Sequence, residues 1–459
     1  MSERVGGVRA LETTRWYRLA ACIIAMMAVA NLQYAWTLFV APLVQSLNAT
    51  LSKVQVAFTC FVITQAFLLP ATAYLVDRIG ARVILSGAAF LVGTGWILCG
   101  LANSLPVLYL ASSIGGIGVG AVYGGCIGLA MKWFPDRRGL CVGLVAGAYG
   151  FGTALTALPI SQTISSSGYR SAFIKWGIVQ GVVVLLAAQF LRMPPEGWVP
   201  AGWEQLKAKI RSKVQQSTRD YTTGQMIRMK SFYGLYVMMT IVAFSGMMVT
   251  AQLAPIAHTF GFDTYVLLGG ATVLGITMVL DGVLNGITRP LFGWVSDHIG
   301  RYDTMAISFA LEAAAITGLT FVGARPEWFI LLNGLTFFAW GEIYSLFPSA
   351  IADLFGTKYA TTNFSIQYTA KGVASVLAGP VAALIAEGNG GSWLPVLWTA
   401  IACNVFAAFL ALFWLKPTAR RQLAAEAGIG PEAGLVEDSE SRGEVEESDS
   451  LTGAASRWT

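Results

Sequence analysis

The sequence predicts an all-α membrane protein with twelve transmembrane helices arranged as two pseudo-symmetric six-helix halves. Three observations carry this prediction. Of 459 residues, 55% are of the AVILMFWYC type and only 12% are charged, about half the charged fraction of a soluble chain. Apolar runs of about 17–25 residues or more, the length that crosses a hydrocarbon core about 30 Å thick, recur along the chain. One loop motif also stands at the same place in each half. A soluble core cannot absorb this apolar excess, because cores stop growing beyond roughly 250–300 residues. The composition excludes a soluble enzyme, a nucleic-acid-binding module, a disordered protein and a disulfide-stapled secreted fold.

The expected spans fall at about 17–45, 54–76, 82–103, 106–133, 139–162, 171–192, 232–258, 266–295, 303–323, 327–352, 361–387 and 393–415. The first run exceeds the apolar region of a cleaved signal peptide, about 7–15 residues, so it reads as span 1. The domain boundaries follow: an N-terminal half at 1–192, a cytoplasmic central loop at 193–231, a C-terminal half at 232–416 and a tail at 417–459. In the central loop, Leu206, Ile210 and Val214 at four-residue spacing alternate with Lys207, Lys209, Arg211 and Lys213. That pattern fits an amphipathic helix on the anionic membrane surface or a solvated helical linker. From Thr418 on, nine acidic residues face four basic ones with few large apolar residues, which predicts a disordered cytoplasmic tail.

Lys and Arg mark the cytoplasmic side of short loops. With both termini inside, cytoplasmic segments hold 24 of the 30 basic residues. The opposite side holds Lys53, Arg170 and Arg325, and Lys175, Arg289 and Lys371 fall inside expected spans. The expected setting is a plasma membrane, most simply a bacterial inner membrane, with the chain as a monomer in the lipid bilayer.

The repeated motif reads Ala73-Tyr-Leu-Val-Asp77-Arg78-Ile-Gly80-Ala-Arg82 between spans 2 and 3, and Gly293-Trp-Val-Ser-Asp297-His298-Ile-Gly300-Arg301 between spans 8 and 9. An acidic residue can bind a neighbouring helix end, and glycine permits a tight turn. These segments resemble the signature loop of the major facilitator superfamily, whose halves are parallel repeats. The resemblance implies a transporter in which this loop gates alternating access. Ala73 and His298 depart from the usual glycine and basic residue.

Other motifs carry no catalytic chemistry. Gly115, Gly116, Gly118 and Gly120 sit inside span 4 rather than after a strand, so they read as helix packing and not as a dinucleotide loop. Gly139, Gly143 and Gly147 form a small-residue ridge in span 5. The six cysteines lie in apolar spans without paired spacing. No hydrolytic triad, phosphate loop or metal cluster emerges, so neither an enzyme, a cofactor nor a nucleic-acid partner is expected.

A cation at the centre of a span costs roughly 2.5–3.5 kcal/mol or more and normally marks function. Arg289 lies eight residues, about 12 Å, from Asp297 at the end of span 8, and Lys371 lies ten residues, about 15 Å, into span 11. Two cations at matching depth predict an anion site. Gln33, Tyr34, Tyr123, Tyr149, Trp340, Tyr344 and Tyr368 interrupt apolar runs nearby and could wall a cavity that strips water from a carboxylate. Asp281, Glu312 and Glu342 are also intramembrane. Asp281 and Glu342 could neutralise a cation or carry a proton; Glu312, and Glu342 too, could instead face other polar groups between helices.

Within the superfamily, the sequence resembles the oxalate/formate antiporters in Gln33-Tyr34-Ala-Trp36-Thr37-Leu38, Trp133-Phe134-Pro135-Asp136-Arg137-Arg138-Gly139, Asn285-Gly-Ile-Thr-Arg289-Pro290, Phe337-Phe338-Ala-Trp340-Gly341 and Leu346-Phe347-Pro348-Ser349. The resemblance implies that Arg289 and Lys371 bind a dicarboxylate and that Gln33, Tyr34, Gln55, Tyr123, Tyr149, Trp340, Tyr344 and Tyr368 line its pocket. Tyr368 departs from the family's tryptophan, which implies a larger or more polar pocket. The three carboxylates are not implied by it. The expected function is exchange of small organic anions of oxalate/formate type. Proton-coupled symport of lactate- or pyruvate-like acids is the alternative, and an anion sensor without transport is a third reading.

Overall fold

A computed structural model describes residues 2–195, 198, 200, 217, 219–268, 270–356 and 358–426. Helices dominate, as a bilayer requires of backbone groups that must be satisfied within their own segment. In chain order they are α1 (Ser2–Val29), α2 (Asn31–Tyr34), α3 (Thr37–Ser46), α4 (Leu51–Phe67), α5 (Leu69–Ile79), α6 (Ala81–Leu101), α7 (Leu105–Trp133), α8 (Arg138–Ala188), α9 (Thr223–Met226) and α10 (Lys230–Thr259). They continue with α11 (Val273–Ile299), α12 (Arg301–Val322), α13 (Pro326–Trp340), α14 (Ile343–Phe355), α15 (Ala360–Val376), α16 (Ala382–Gly388), α17 (Leu394–Phe409) and α18 (Lys416–Glu426). The described strands, Val266–Leu268 and Ala271–Thr272, pair antiparallel in the loop before α11.

Nine helices among the described residues are long and apolar enough to cross a membrane, or ten when α4 and the first turns of α5, inclined at 45°, count as one bent span. The sequence-based count of twelve differs for two physical reasons. Helix α8 runs 51 residues without a loop, broken only by the non-helical Gly168 at φ 79°, where spans 5 and 6 were expected to separate. Helix α11 carries Asp281, Arg289 and Asp297, which lower its hydropathy. The outer surface is apolar as lipid demands, with Phe321 and Phe413 74% and 71% exposed.

The expected span 1 runs as one helix to Tyr34 and resumes at Thr37, with Ala35 at φ −89° and ψ −2°, so Asn31, Gln33 and Tyr34 lie buried just before the bend. The expected span 10 is continuous from Pro326 to Phe355, Gly341 and Glu342 keeping right-handed helical dihedrals. Both pack toward the interface where α8 meets α11. There the backbones approach so closely that a Cβ on Gly147 would lie 2.7 Å from the carbonyl oxygen of Gly286. Pro290, four residues on, cannot donate to that carbonyl.

The two copies of the repeated motif share one backbone geometry: Gly80 has φ 103° and ψ 145°, and Gly300 has φ 97° and ψ 153°. Arg301 pairs with Asp297 at 2.6 Å and with Asp353 at 3.0 Å on the neighbouring α14. In the second copy the basic residue, rather than the acidic one, makes the link to the neighbouring helix. In the first, Arg82 donates to Gln189 Oε1 from Nε at 2.9 Å and Nη2 at 2.8 Å, and Arg78 lies over Tyr74. Gly293 meets no neighbour within 4 Å of a notional Cβ.

The beginning of the tail corrects the expectation of disorder from residue 417: Lys416–Glu426 is helical. Glu426 accepts hydrogen bonds from Tyr221 at 2.6 Å and from Ser217, and Gln422 Nε2 donates to the Leu354 carbonyl. These partners fix a polar helix that an acidic composition alone would leave free. The amphipathic segment expected at Leu206, Ile210 and Val214 and the tail beyond 426 lie outside the described residues.

Candidate anion site between the halves

Lys371 sits on α15 with 1% of its surface exposed. Its three ammonium protons meet three oxygens: Gln33 Oε1 at 2.8 Å, Gln65 Oε1 at 3.0 Å and the Tyr368 hydroxyl at 3.1 Å. The Tyr149 hydroxyl donates to Gln33 Oε1 at 3.0 Å and accepts from Gln65 Nε2 at 3.1 Å. Lys371, Gln33, Tyr149 and Gln65 thus close a ring of hydrogen bonds that ties the C-terminal half to α2, α4 and α8.

Arg289 is also 1% exposed. Its Nη1 donates to the Ala146 carbonyl of α8, its Nη2 donates to Asn285 Oδ1 at 3.0 Å, and its Nε has no partner. The guanidinium carbon lies 4.5 Å from the Tyr344 ring centre, and Lys371 Nζ lies 5.6 Å from the same centre. One aromatic face therefore serves both cations, within cation–π range. Among the described residues, no carboxylate oxygen comes within 4.0 Å of either cation.

The aromatic wall is continuous. Tyr34 lies 5.5 Å from Tyr149, Tyr149 lies 5.4 Å from Tyr123, Tyr123 lies 5.4 Å from Tyr368, and Tyr368 lies 6.0 Å from Tyr344. Trp340 closes it edge-on to Tyr344 at 5.5 Å. The indole fits because Gly246 lies beneath it, where a Cβ would come within 2.2 Å of the ring.

The sequence reading of Arg289, Lys371, Gln33, Tyr34, Tyr123, Tyr149, Trp340, Tyr344 and Tyr368 is thus brought together in one buried cluster. Gln55 is not: it accepts from Trp36 Nε1 at 3.1 Å and donates to the Ala251 carbonyl at 2.8 Å and Gln252 Oε1 at 2.9 Å, a link between α4 and α10. Gln65, which sequence reasoning missed, holds Lys371. Its only signal is a second amide ten residues after Gln55 in an apolar run.

The carboxylates do not neutralise the cations. Glu312 accepts from Ser245 Oγ, and Glu342 stands within electrostatic reach of Glu312. Both are fully buried, and neither oxygen of Glu342 has a hydrogen-bond partner. Asp281 is buried with both oxygens unpartnered.

The site is shut at both ends. Toward the loop after α3, Ser52 donates from its backbone N–H at 2.9 Å and its hydroxyl at 3.0 Å to Glu387, Thr37 Oγ1 accepts from the Ala254 N–H at 2.7 Å, and Thr59 donates to the Ser375 carbonyl at 2.9 Å. Toward the Gly80 and Gly300 loops, Gly372 packs on the Phe67 ring and Thr361 meets Met131 Sδ at 3.9 Å.

A multi-pass helical membrane protein whose halves close over two cations is of the transporter class. The chain belongs to the Major Facilitator Superfamily, whose profile matches residues 21–282 and 267–442. It is 33% identical to the oxalate:formate antiporter of Oxalobacter formigenes, over 94% of this chain and 99% of that one. It is 24% identical to the uncharacterized MFS-type transporter YhjX of Escherichia coli (strain K12), over 80% and 87% of the two chains. Monocarboxylate transporter 12 of Rattus norvegicus is more distant, at 24% identity over 68% and 66%. The protein is a superfamily transporter and not an enzyme.

Proposed function

We propose that this transporter exchanges small organic carboxylates of the oxalate and formate type by alternating access, with Arg289 and Lys371 binding the anion. One observation carries the reading: two fully buried cations each reach a neutral oxygen of the opposite half, and among the described residues no carboxylate oxygen lies within 4.0 Å of either. An entering anion replaces neutral acceptors with a charged one, and charge-assisted hydrogen bonds are roughly twice as strong. Bound anion offsets the mutual repulsion of the cations and lets the halves rock around them. An empty carrier lacks that compensation, so it crosses slowly, which favours exchange over leak. Gln33, Gln65 and the tyrosines shape the pocket and keep water out.

In this reading the halves are 1–192 and 232–416, joined by the cytoplasmic loop 193–231. The Asp77 and Asp297 loops, with Arg78, Gly80, Arg82, Gly293, Gly300 and Arg301, gate the cytoplasmic side. Both termini are cytoplasmic, and the protein works as a monomer in a bacterial inner membrane. The 33% identity to a named oxalate:formate antiporter supports the substrate class. Proteoliposomes loaded with labelled oxalate test it: efflux should require an external carboxylate. Efflux at the same rate into carboxylate-free buffer would refute exchange.

Proton-coupled symport of monocarboxylates is the second reading, favoured by the unpartnered Asp281. It requires the external medium to become alkaline as substrate enters, in the absence of any counter-anion. Binding of a carboxylate without flux would instead support a sensor.

A further inference from the structure

Asp281 has no role in the cation network, yet it lies beside it. The residue is 3% exposed, neither carboxylate oxygen has a partner, and it lines a cavity of about 10 Å³ between the halves. The Tyr34 hydroxyl, the Thr153 hydroxyl and Asn285 Nδ2 belong to residues lining the same cavity, and all three are buried without partners. Asn285 Oδ1 is occupied by Arg289, so this amide joins the cation to the cavity. Asp281 and Asn285 stand one helical turn apart on α11, a rise of about 6 Å.

Buried polar groups are nearly always satisfied, and a carboxylate is the most costly group to leave without a donor. Four such groups around one void of about a water's size describe a place built for a small polar group. The three neutral groups can donate as well as fill space, whereas Asp281, when ionised, only accepts.

We propose that Asp281 is the second pole of the substrate site and accepts a hydrogen bond from the hydroxyl group of a short hydroxy-monocarboxylate whose carboxylate lies on Arg289 and Lys371. This rests on the carboxylate-carrier reading and narrows its substrate. Thr153 and Tyr34 complete the hydroxyl's surroundings from the N-terminal half, so both halves touch the substrate at both ends.

The test is initial uptake by the full chain in proteoliposomes of glycolate and 3-hydroxypropionate against acetate and propionate, with oxalate as the dianion, for the wild type, Asp281→Asn and Thr153→Val. Wild type should favour each hydroxy acid over its unsubstituted partner by about tenfold or more, as expected where a site hydrogen-bonds a substrate hydroxyl. Asp281→Asn should abolish that preference and raise the oxalate-to-glycolate ratio by about tenfold; Thr153→Val should weaken the preference. Equal wild-type rates for glycolate and acetate overturn the proposal, as does a preference that survives in Asp281→Asn. If wild type exchanges oxalate and formate without any hydroxyl preference, the carrier reading stands and only the Asp281 assignment falls. If it carries no carboxylate, both fall. Should Asp281→Asn not fold, the wild-type ratio decides.

Discussion

Lys371 Nζ and Gln33 Oε1 are 2.8 Å apart although 338 residues separate them in the chain. The contact joins α15 of one half to the interrupted first span of the other, and it places a cation's proton on a neutral amide. A carrier must break and remake such links in every cycle. They need to be strong enough to order the closed state and weak enough for an anion to displace.

Gln65 supplies the second amide oxygen of Lys371, so Gln65→Leu removes an acceptor and leaves part of a buried ammonium unsatisfied. The expected loss is about 1–3 kcal/mol, the cost of a hydrogen bond to a charged group. It should appear as reduced thermal stability of the substrate-free carrier, partly restored by carboxylate. Measurement of Tm with and without oxalate checks this.

Glu387 holds the backbone and hydroxyl of Ser52 at the end of the site opposite the Gly80 and Gly300 loops. Glu387→Ala should loosen that closure by about 1.5–3 kcal/mol. A thiol placed on the inward side of the closure should react with an impermeant reagent faster in Glu387→Ala than in an otherwise unchanged protein. Equal reactivity would show that this contact does not hold the end shut.

Gly246 lies under Trp340, and Gly246→Val would bring its Cβ within 2.2 Å of the indole ring. Overpacking of this kind costs typically 1–3 kcal/mol. The variant should lower both the yield of folded protein and its Tm. Retention of wild-type Tm would mean that Trp340 can move aside without cost.

Glu342 is buried with no hydrogen-bond partner and faces Glu312 rather than a cation. Glu342→Gln keeps the shape and removes a charge-bearing group, so stability should hold or rise by about 1 kcal/mol, while carboxylate exchange continues. Thermal unfolding and counterflow on the same preparation check both parts. Loss of exchange with intact folding would return Glu342 to the transport mechanism.

The cations were legible in the sequence because Arg289 and Lys371 interrupt apolar runs at matching depth, and their burial follows from the spans themselves. The repeated loop was equally legible, since its glycines adopt nearly the same dihedral angles in both halves. What stayed hidden depends on how the helices pack: Gln65 reaches Lys371 from the opposite half, and Glu342 stands near Glu312 rather than beside the cations. Gln55 was placed in the pocket by resemblance alone, and the fold uses it to join α4 to α10 instead. The Asp281 cavity draws on five helices, so no single stretch of sequence describes it.

The central claim is that two buried cations carry the anion across, and oxalate counterflow in proteoliposomes containing Lys371→Gln measures it most directly. Removing one partner from a buried, hydrogen-bonded charge pair costs roughly 2–5 kcal/mol, so counterflow should fall by at least about thirtyfold while the variant remains folded and inserted. Counterflow at the wild-type rate from a folded Lys371→Gln carrier would contradict the account.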